Sequence, residues 1–302
     1  MPRLKKIATN IFQYLPSAQM KSSISIGFIL LLSFSKASLA TEKTIKLQID
    51  NKISVTASYI KGEPTKPVVL MVHGFLTTRN HATLKNLNLA IADEGYSTLA
   101  PTLSLGIDQR NQRLPCEAIH THTMQSDVKE IESWVDWLLS QGHKNIILLG
   151  HSFGSLHMLV YLKNGNQSIR YAIASSLIDL EHAIGTQKVY SQLKQARQAI
   201  KANNNALQEY KISYCKKFVS TPGSFASYAE WDKARILKLL SSVTTPVHIV
   251  MGSSDNRMDK SWPATLKKQG SELSIINGAN HFFSNEFEFE LHDKVLEILD
   301  TL

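Results

Sequence analysis

Cysteine is scarce: Cys116 and Cys215 are the only two in 302 residues. None falls in residues 1–40, which excludes a lipid-modified cysteine at a signal cleavage site. Those forty residues also lack acidic side chains, while holding Arg3, Lys5, Lys6, Lys21 and Lys36. Long hydrophobic runs are missing too. The longest, Ile24 to Phe34, is about half the roughly 20 residues a membrane-spanning helix needs, which excludes a stable membrane span once a signal is removed. Internal repeats and low-complexity tracts are absent.

The charge excess is local. The chain has 33 Lys and Arg against 25 Asp and Glu, a formal +8; removing the five basic residues of the first forty leaves 28 against 25, or +3. A nucleic-acid partner suggested by the basic balance loses its basis. The first forty residues read instead as an export signal: Lys21, the apolar run, then Ala37-Ser38-Leu39-Ala40 as a small-x-small site. Met20 is an alternative start that gives a signal of more usual length. The expectation is a signal at 1–40 cleaved near Ala40, an uncleaved N-terminal anchor being the alternative, and a periplasmic or secreted protein over 41–302. In such an oxidising compartment Cys116 and Cys215 are a candidate disulfide, with two unpaired thiols as the other reading.

From residue 45 the pattern alternates between strands and helices. Ile45–Ile49 and Ile53–Ile60 flank Asp50-Asn51-Lys52 as a hairpin at a sheet edge. Val68–Val72 is a continuous apolar run, expected of a strand buried on both faces. A helix is expected over 81–93 and a strand over 96–99. A long irregular segment over 101–124 then suits a loop above a site. Ser126 is placed to cap a helix whose apolar face is Val128, Ile131, Val135 and Leu138, with Lys129, Glu130 and Glu132 on its polar face. Later strands are expected over 146–149, 171–177, 247–251 and 273–276. The last helix spans 286–302, with Phe289, Val295, Leu296 and Leu299 at helical spacing. Repeated alternation argues for an α/β protein with a mostly parallel sheet and helices on both faces. Residues 183–240 carry only helical patterns and are expected to form a helical lid; the charges of Lys188, Lys194, Arg197 and Lys201 read as its solvated face.

The apolar run Ile146–Leu149 leads into Gly150-His151-Ser152-Phe153-Gly154 and then a helix-like segment. Gly-x-Ser-x-Gly between a strand and a helix is the form of a nucleophile elbow, where glycines permit close backbone approach and one serine occupies a strained turn. Serine needs an adjacent base, and the base an orienting carboxylate. Asp255, in Gly252-Ser253-Ser254-Asp255, and His281, in Gly278-Ala279-Asn280-His281, follow late strands in the required order. Asp259 and Asp179 remain as alternative acids.

These motifs, with His73-Gly74-Phe75 after the buried strand, resemble those of the α/β-hydrolases, and the resemblance covers nearly all of residues 45–302. It implies an eight-stranded-type sheet, Ser152 as nucleophile, His281 as base and then acid, and Asp255 as its partner. It also implies an oxyanion hole from the backbone N–H groups of Phe75 and Phe153. His151, at a variable motif position, reads as packing, and His73 as a brace for the oxyanion loop. A carboxylate at the elbow would suggest dehalogenase or epoxide-opening chemistry and a cysteine dienelactone-type chemistry; serine points to acyl transfer. No cofactor is expected. His120-Thr121-His122 lacks the nearby Cys or carboxylate cluster that would complete a metal site. The expected partner is a small-molecule acyl substrate, most simply an ester for a carboxylesterase- or lipase-like enzyme. An amidase, peptidase or acyltransferase shares the acyl-enzyme, and a catalytically silent binding protein on the same fold is the competing class.

Overall fold

Asp50 closes the first hairpin, its Oδ1 accepting from the backbone N–H groups of Lys52 (2.7 Å) and Ile53 (2.8 Å). This Asx-type turn joins β1 (Glu42–Gln48) and β2 (Ser54–Ile60), which pair antiparallel. The computed structural model describes residues 41–302, so the expected signal at 1–40 lies outside the described residues. The chain continues through β3 (Val68–Val72), α1 (Ala82–Asp93), β4 (Ser97–Thr102), β5 (Ile119–His120), α2 (Met124–Ser140), β6 (Ile146–His151), α3 (Phe153–Leu162) and β7 (Ile169–Ser175). After these come α4 (Leu180–Ile184), α5 (Thr186–Lys201), β8 (Gln208–Ile212), β9 (Cys215–Ser220), α6 (Pro222–Ala229) and α7 (Lys233–Ser242). The last elements are β10 (Val247–Gly252), α8 (Trp262–Lys268), β11 (Glu272–Ile276) and α9 (Phe287–Leu299).

The main sheet has eight strands in the order β1-β2-β4-β3-β6-β7-β10-β11, antiparallel at β1-β2-β4 and parallel from β4 onward. Strand alternation sorts its core into two layers. Val68, Leu70 and Val72 of β3, with Ile146 and Leu148 of β6, face Ile131, Trp134 and Leu138 of α2 and Leu156 and Leu159 of α3. Val69, Met71, Ile147 and Leu149 face the other way, onto Leu84, Leu87 and Ile91 of α1 and Leu291, Val295 and Ile298 of α9. The chain leaves β3 for β4 on one side and returns to β6 on the other. The crevice beyond the carboxyl ends of β3 and β6 is therefore the switch point at which open α/β sheets hold ligands.

Three expectations need correction. The first is the cap of α2, which is Thr123 rather than Ser126. The Thr123 hydroxyl accepts from Ser126 N–H (3.1 Å), and the Ser126 hydroxyl accepts from Thr123 N–H (2.9 Å), a reciprocal capping box. The second is Glu130, expected on a polar face but buried, because the 101–124 segment folds across α2. The third is the lid, which is not purely helical. β8 and β9 form an antiparallel hairpin, and β5 joins it in a three-stranded sheet. Tyr210, Ile212 and Phe218 point inward, and the Tyr210 ring stacks on Phe225 of α6 at 3.9 Å. Lys188, Lys194, Arg197 and Lys201 lie exposed on α5, opposite buried Val189, Leu193 and Ala196. Among the described residues no helix is long and apolar enough to cross a membrane.

Candidate active site

Ser152 sits between β6 and α3 at φ 58° and ψ −121°, a backbone conformation that residues with a Cβ rarely adopt. Close packing enforces it. A Cβ on Gly150 would lie 2.4 Å from Gly154 O, and one on Gly154 would lie 2.1 Å from Val72 O. Ser152 N–H donates to Ser175 O (2.9 Å), fixing the turn to β7. Both glycines thus let α3 start directly against β3 and β6 with the serine side chain held above the strand ends.

The strand-end loops bring the other two residues to it. His281 Nε2 is 2.9 Å from Ser152 Oγ, and His281 Nδ1 is 2.7 Å from Asp255 Oδ2. A carboxylate only accepts, so Nδ1 carries the proton and Nε2 is the acceptor for the serine hydroxyl. Asp255 is itself oriented, its Oδ1 accepting from Arg257 N–H (2.9 Å), and Ser176 Oγ holds the His281 carbonyl (2.8 Å). The alternative acids are engaged elsewhere. Asp179 caps α4 and pairs with Lys233 (3.2 Å), and Asp259 accepts from Ser261 N–H (2.7 Å). His151 is buried beside the site, its Nδ1 3.0 Å from Ser175 Oγ and its ring 5.5 Å from that of His281. Burial, and then the His281 charge, push its pKa well down. This places it as a neutral packing group.

The His73-Gly74-Phe75 loop approaches the serine so closely that a Cβ on Gly74 would lie 3.2 Å from Ser152 Cβ. His73 holds this loop. Its Nδ1 donates to Gly74 O (2.9 Å), while Nε2 accepts from Leu103 N–H (3.0 Å) and Arg110 Nη2 (3.2 Å). Burial and the adjacent Arg110 charge lower its pKa to about 3, so it remains neutral in this bracing role. Phe75 and Phe153 lie side by side, ring centroids 4.6 Å apart. Among the described residues neither backbone N–H is taken by a protein acceptor, leaving two donors beside Ser152.

Two clefts meet at the serine. The larger, about 540 Å³, is lined by His73–Phe75, His81, Arg113 and Phe282; the smaller, about 280 Å³, by Ile178–Leu180, Met258 and His281. Ser152, Ser213, Tyr214 and Arg257 line both. Ser213 and Tyr214 are the lid's contributions, and the Tyr214 hydroxyl donates to Phe75 O (3.2 Å). The next residue, Cys215, is disulfide-bonded to Cys116, tying the 101–124 loop to the lid hairpin across 99 residues of sequence. Closing a loop of that length stabilises the fold by on the order of 4 kcal/mol in the chain-entropy account. Replacing both cysteines with serine is expected to lower Tm by about 10 °C and to reduce turnover, because Tyr214 loses its anchor against the His73–Phe75 loop beside Ser152. Thermal melts and ester assays of the oxidised, reduced and doubly substituted protein test this; superimposable melts would refute it.

Under the lid lies a polar cluster that sequence patterning missed. Asp127 Oδ2 takes Tyr228 OH, His157 Nε2 (3.2 Å) and His122 Nδ1 (3.3 Å), all of them buried. Burial alone would raise the Asp127 pKa, but the His122 and His157 charges and hydrogen bonds hold it below the usual carboxylate range. His120, the other half of the histidine pair, stacks on Phe218 at 4.2 Å, with Nε2 on Pro115 O. Next to this cluster, Glu130 accepts from Ser104 N–H (2.8 Å) and is pushed up to about 7 by burial, against the pull of that hydrogen bond. The folded state therefore holds this proton more tightly than the unfolded chain does. Its contribution to stability is full below the ordinary value of 4.5 and is lost as pH rises through about 7. Glu130→Gln is expected to gain stability relative to wild type as pH rises from about 5 to about 8. Paired melts across that range measure the gain; a pH-independent difference would contradict it.

The sheet order, the elbow at the switch point and the Ser152–His281–Asp255 geometry define the class: the chain has the α/β-hydrolase fold. A family model described as a protein of unknown function (DUF1749) matches residues 117–236. No curated protein matches the sequence. Among solved structures, the chain is similar to Est1E from Butyrivibrio proteoclasticus, at 16% identity and a TM-score of 0.61, covering 86% of this chain and 99% of that one. It is also similar to the alpha/beta hydrolase GrgF from Penicillium sp. sh18, at 14% identity and a TM-score of 0.65, covering 86% and 98%. The Pyrococcus furiosus esterase Pf2001 aligns at 16% identity and a TM-score of 0.57, covering 87% and 93%.

Proposed function

We propose that this protein is an exported serine hydrolase that cleaves a carboxylic ester through an acyl-enzyme. The observation that carries the reading is the continuous path from Ser152 Oγ to His281 Nε2 (2.9 Å) and from His281 Nδ1 to Asp255 Oδ2 (2.7 Å) at a strained elbow. In the forward step Ser152 Oγ attacks the ester carbonyl carbon while its proton passes to His281 Nε2. Asp255 holds the imidazole and stabilises its charged form. The carbonyl oxygen becomes an oxyanion facing the Phe75 and Phe153 N–H groups, a type of donor worth about 3 kcal/mol each to the transition state. Collapse breaks the ester C–O bond, and His281 gives its proton to the leaving alcohol oxygen. Water then attacks the acyl-serine with His281 again as base, releasing the acid and restoring Ser152. The two clefts that meet at Ser152 provide separate room for the acyl and alcohol portions.

Export is part of the proposal. The Cys116–Cys215 disulfide suits an oxidising compartment, in keeping with the signal features of residues 1–40. Sequencing the amino terminus of the protein recovered outside the cytoplasm is expected to find cleavage near Ala40. For the reaction, turnover of short-chain para-nitrophenyl esters is expected, with much slower cleavage of the matching anilides. Faster cleavage of the anilides would move the assignment to an amidase. Loss of turnover in favour of ester formation with added alcohols would move it to an acyltransferase.

A further inference from the structure

Among the described residues the larger cleft is lined by Arg113 and Arg257 and by no carboxylate. In the smaller cleft the acidic group is Asp179, whose charge is already met by Lys233 and the α4 amide groups. Asp255 is committed to His281. The space in front of Ser152 is therefore walled by two arginine side chains that the hydrolytic steps do not use, while the Asp255 carboxylate lies buried behind His281.

Arg257 is the more informative of the two. Its guanidinium lies over the Phe282 ring (4.6 Å) and near that of Tyr214 (5.3 Å), and the residue is only partly exposed. Among the described residues it makes no ion pair, and its side chain donates no hydrogen bond, unlike Arg79 and Arg110, whose guanidinium groups are hydrogen-bonded to backbone and side-chain acceptors. Two aromatic rings beside the guanidinium restrict its movement while its N–H groups have no protein acceptor among the described residues. The N–H edge of a guanidinium matches the two oxygens of a carboxylate. The backbone at Arg257 is fixed as well, because its N–H binds Asp255 Oδ1, and Phe282 directly follows His281. The cation is thus built into the loops that hold the catalytic acid and base. Arg113, exposed on the 101–124 loop, adds a second positive charge on the wall of the same cleft.

We infer that the substrate is an ester bearing a carboxylate, bound in the larger cleft through the guanidinium edge of Arg257, with Arg113 adding to the attraction. This rests on the serine-hydrolase reading above and narrows it. Neutral esters fill the cleft without meeting the charge, whereas a carboxylate exchanges its water for a partly desolvated partner.

Two matched ester pairs test it. Monomethyl adipate against methyl heptanoate places the charge on the acyl side, and meta-carboxyphenyl acetate against phenyl acetate places it on the alcohol side. Expected is a preference in kcat/KM for the charged member of at least one pair by about tenfold or more, equivalent to about 1.4 kcal/mol. The preferred pair identifies the side on which the carboxylate sits. The preference should fall as ionic strength rises. In Arg257→Ala the ratio of charged to neutral kcat/KM should drop about tenfold, and in Arg113→Ala, where the side chain is exposed, by a smaller factor. Arg257→Lys should restore part of the ratio. Preference for the neutral member in both pairs, or an equal loss on both members in Arg257→Ala, would overturn the inference while leaving ester hydrolysis intact. Failure to turn over any of the four esters would count against the hydrolase reading instead. In that event calorimetric titration of monomethyl adipate into wild type and Arg257→Ala still decides the point: binding weakened about tenfold by the substitution supports the inference, and equal or undetectable binding removes it.

Discussion

Replacing Ser152 with alanine is expected to lower kcat for a short-chain ester by roughly a millionfold, as loss of a serine nucleophile does where a histidine and an aspartate depend on it. The remaining activity is that of the clefts and the two N–H donors acting on water. His281→Ala should be as damaging, and the double substitution no worse than either, because the two groups act as one unit. Folding should be nearly untouched by Ser152→Ala. Alanine keeps the Cβ and so inherits the same strain at φ 58°, losing only the hydrogen bond to His281. Ser152→Gly is the informative contrast: it removes the nucleophile and also the Cβ, relieving a conformation that costs on the order of 1–3 kcal/mol. It should be as inactive as Ser152→Ala but more stable. Equal stability of the two variants would mean that the turn is not strained in solution.

Gly154→Ala is expected to be the most disruptive single-methyl change in the elbow. The new Cβ would lie 2.1 Å from Val72 O and 2.7 Å from His73 O, both backbone atoms that no side-chain rotation can move aside. Either α3 lifts from β3 or the end of β3 gives way. The first loosens packing of Leu156 and Leu159 against the sheet; the second displaces the loop that carries Gly74 and Phe75 to the serine. A loss on the order of 3 kcal/mol is expected for overpacking of this kind. Activity should fall beyond what unfolding explains, because the proposed oxyanion donors of Phe75 and Phe153 move. Chemical denaturation together with the kcat of the folded fraction separates the two effects. Wild-type stability and kcat would show that the close approach is absent.

The parts of the fold that periodicity reaches were legible. Val68–Val72 announced a strand buried on both faces and Ile146–Leu149 the strand before the elbow, and the two core layers divide their residues alternately. The elbow, Asp255 and His281 were legible for a different reason: chain order and the family resemblance put them at strand ends, although Asp259 and Asp179 stayed open as alternative acids until the fold engaged them elsewhere. Long-range burial was not legible. Glu130 has the pattern of a solvent-facing helix residue and becomes buried only because a loop from another part of the chain crosses it. Phe289 shares the helical spacing of Val295 and Leu299, yet it lies 67% exposed on α9 while they are buried. The lid hairpin did leave a signal, Tyr210 and Ile212 alternating with Glu209 and Lys211, but five-residue strands between helices are easily absorbed into a helical reading. The groups lining the clefts fared unevenly. Arg257 and Phe282 are near neighbours of Asp255 and His281 in sequence, so proximity alone would have raised them. Tyr214 and Arg113 enter from the lid hairpin and the crossing loop, and only the folded chain brings them to Ser152.

The most direct test of the central claim is covalent. Folded wild-type protein treated with a fluorophosphonate probe and digested is expected to yield a single modified peptide, with the phosphonyl group on Ser152. Ser152→Ala should remain unmodified, and His281→Ala should react far more slowly because nothing accepts the serine proton. Folded wild-type protein that takes up no probe, or takes it up at a serine other than Ser152, would contradict the account.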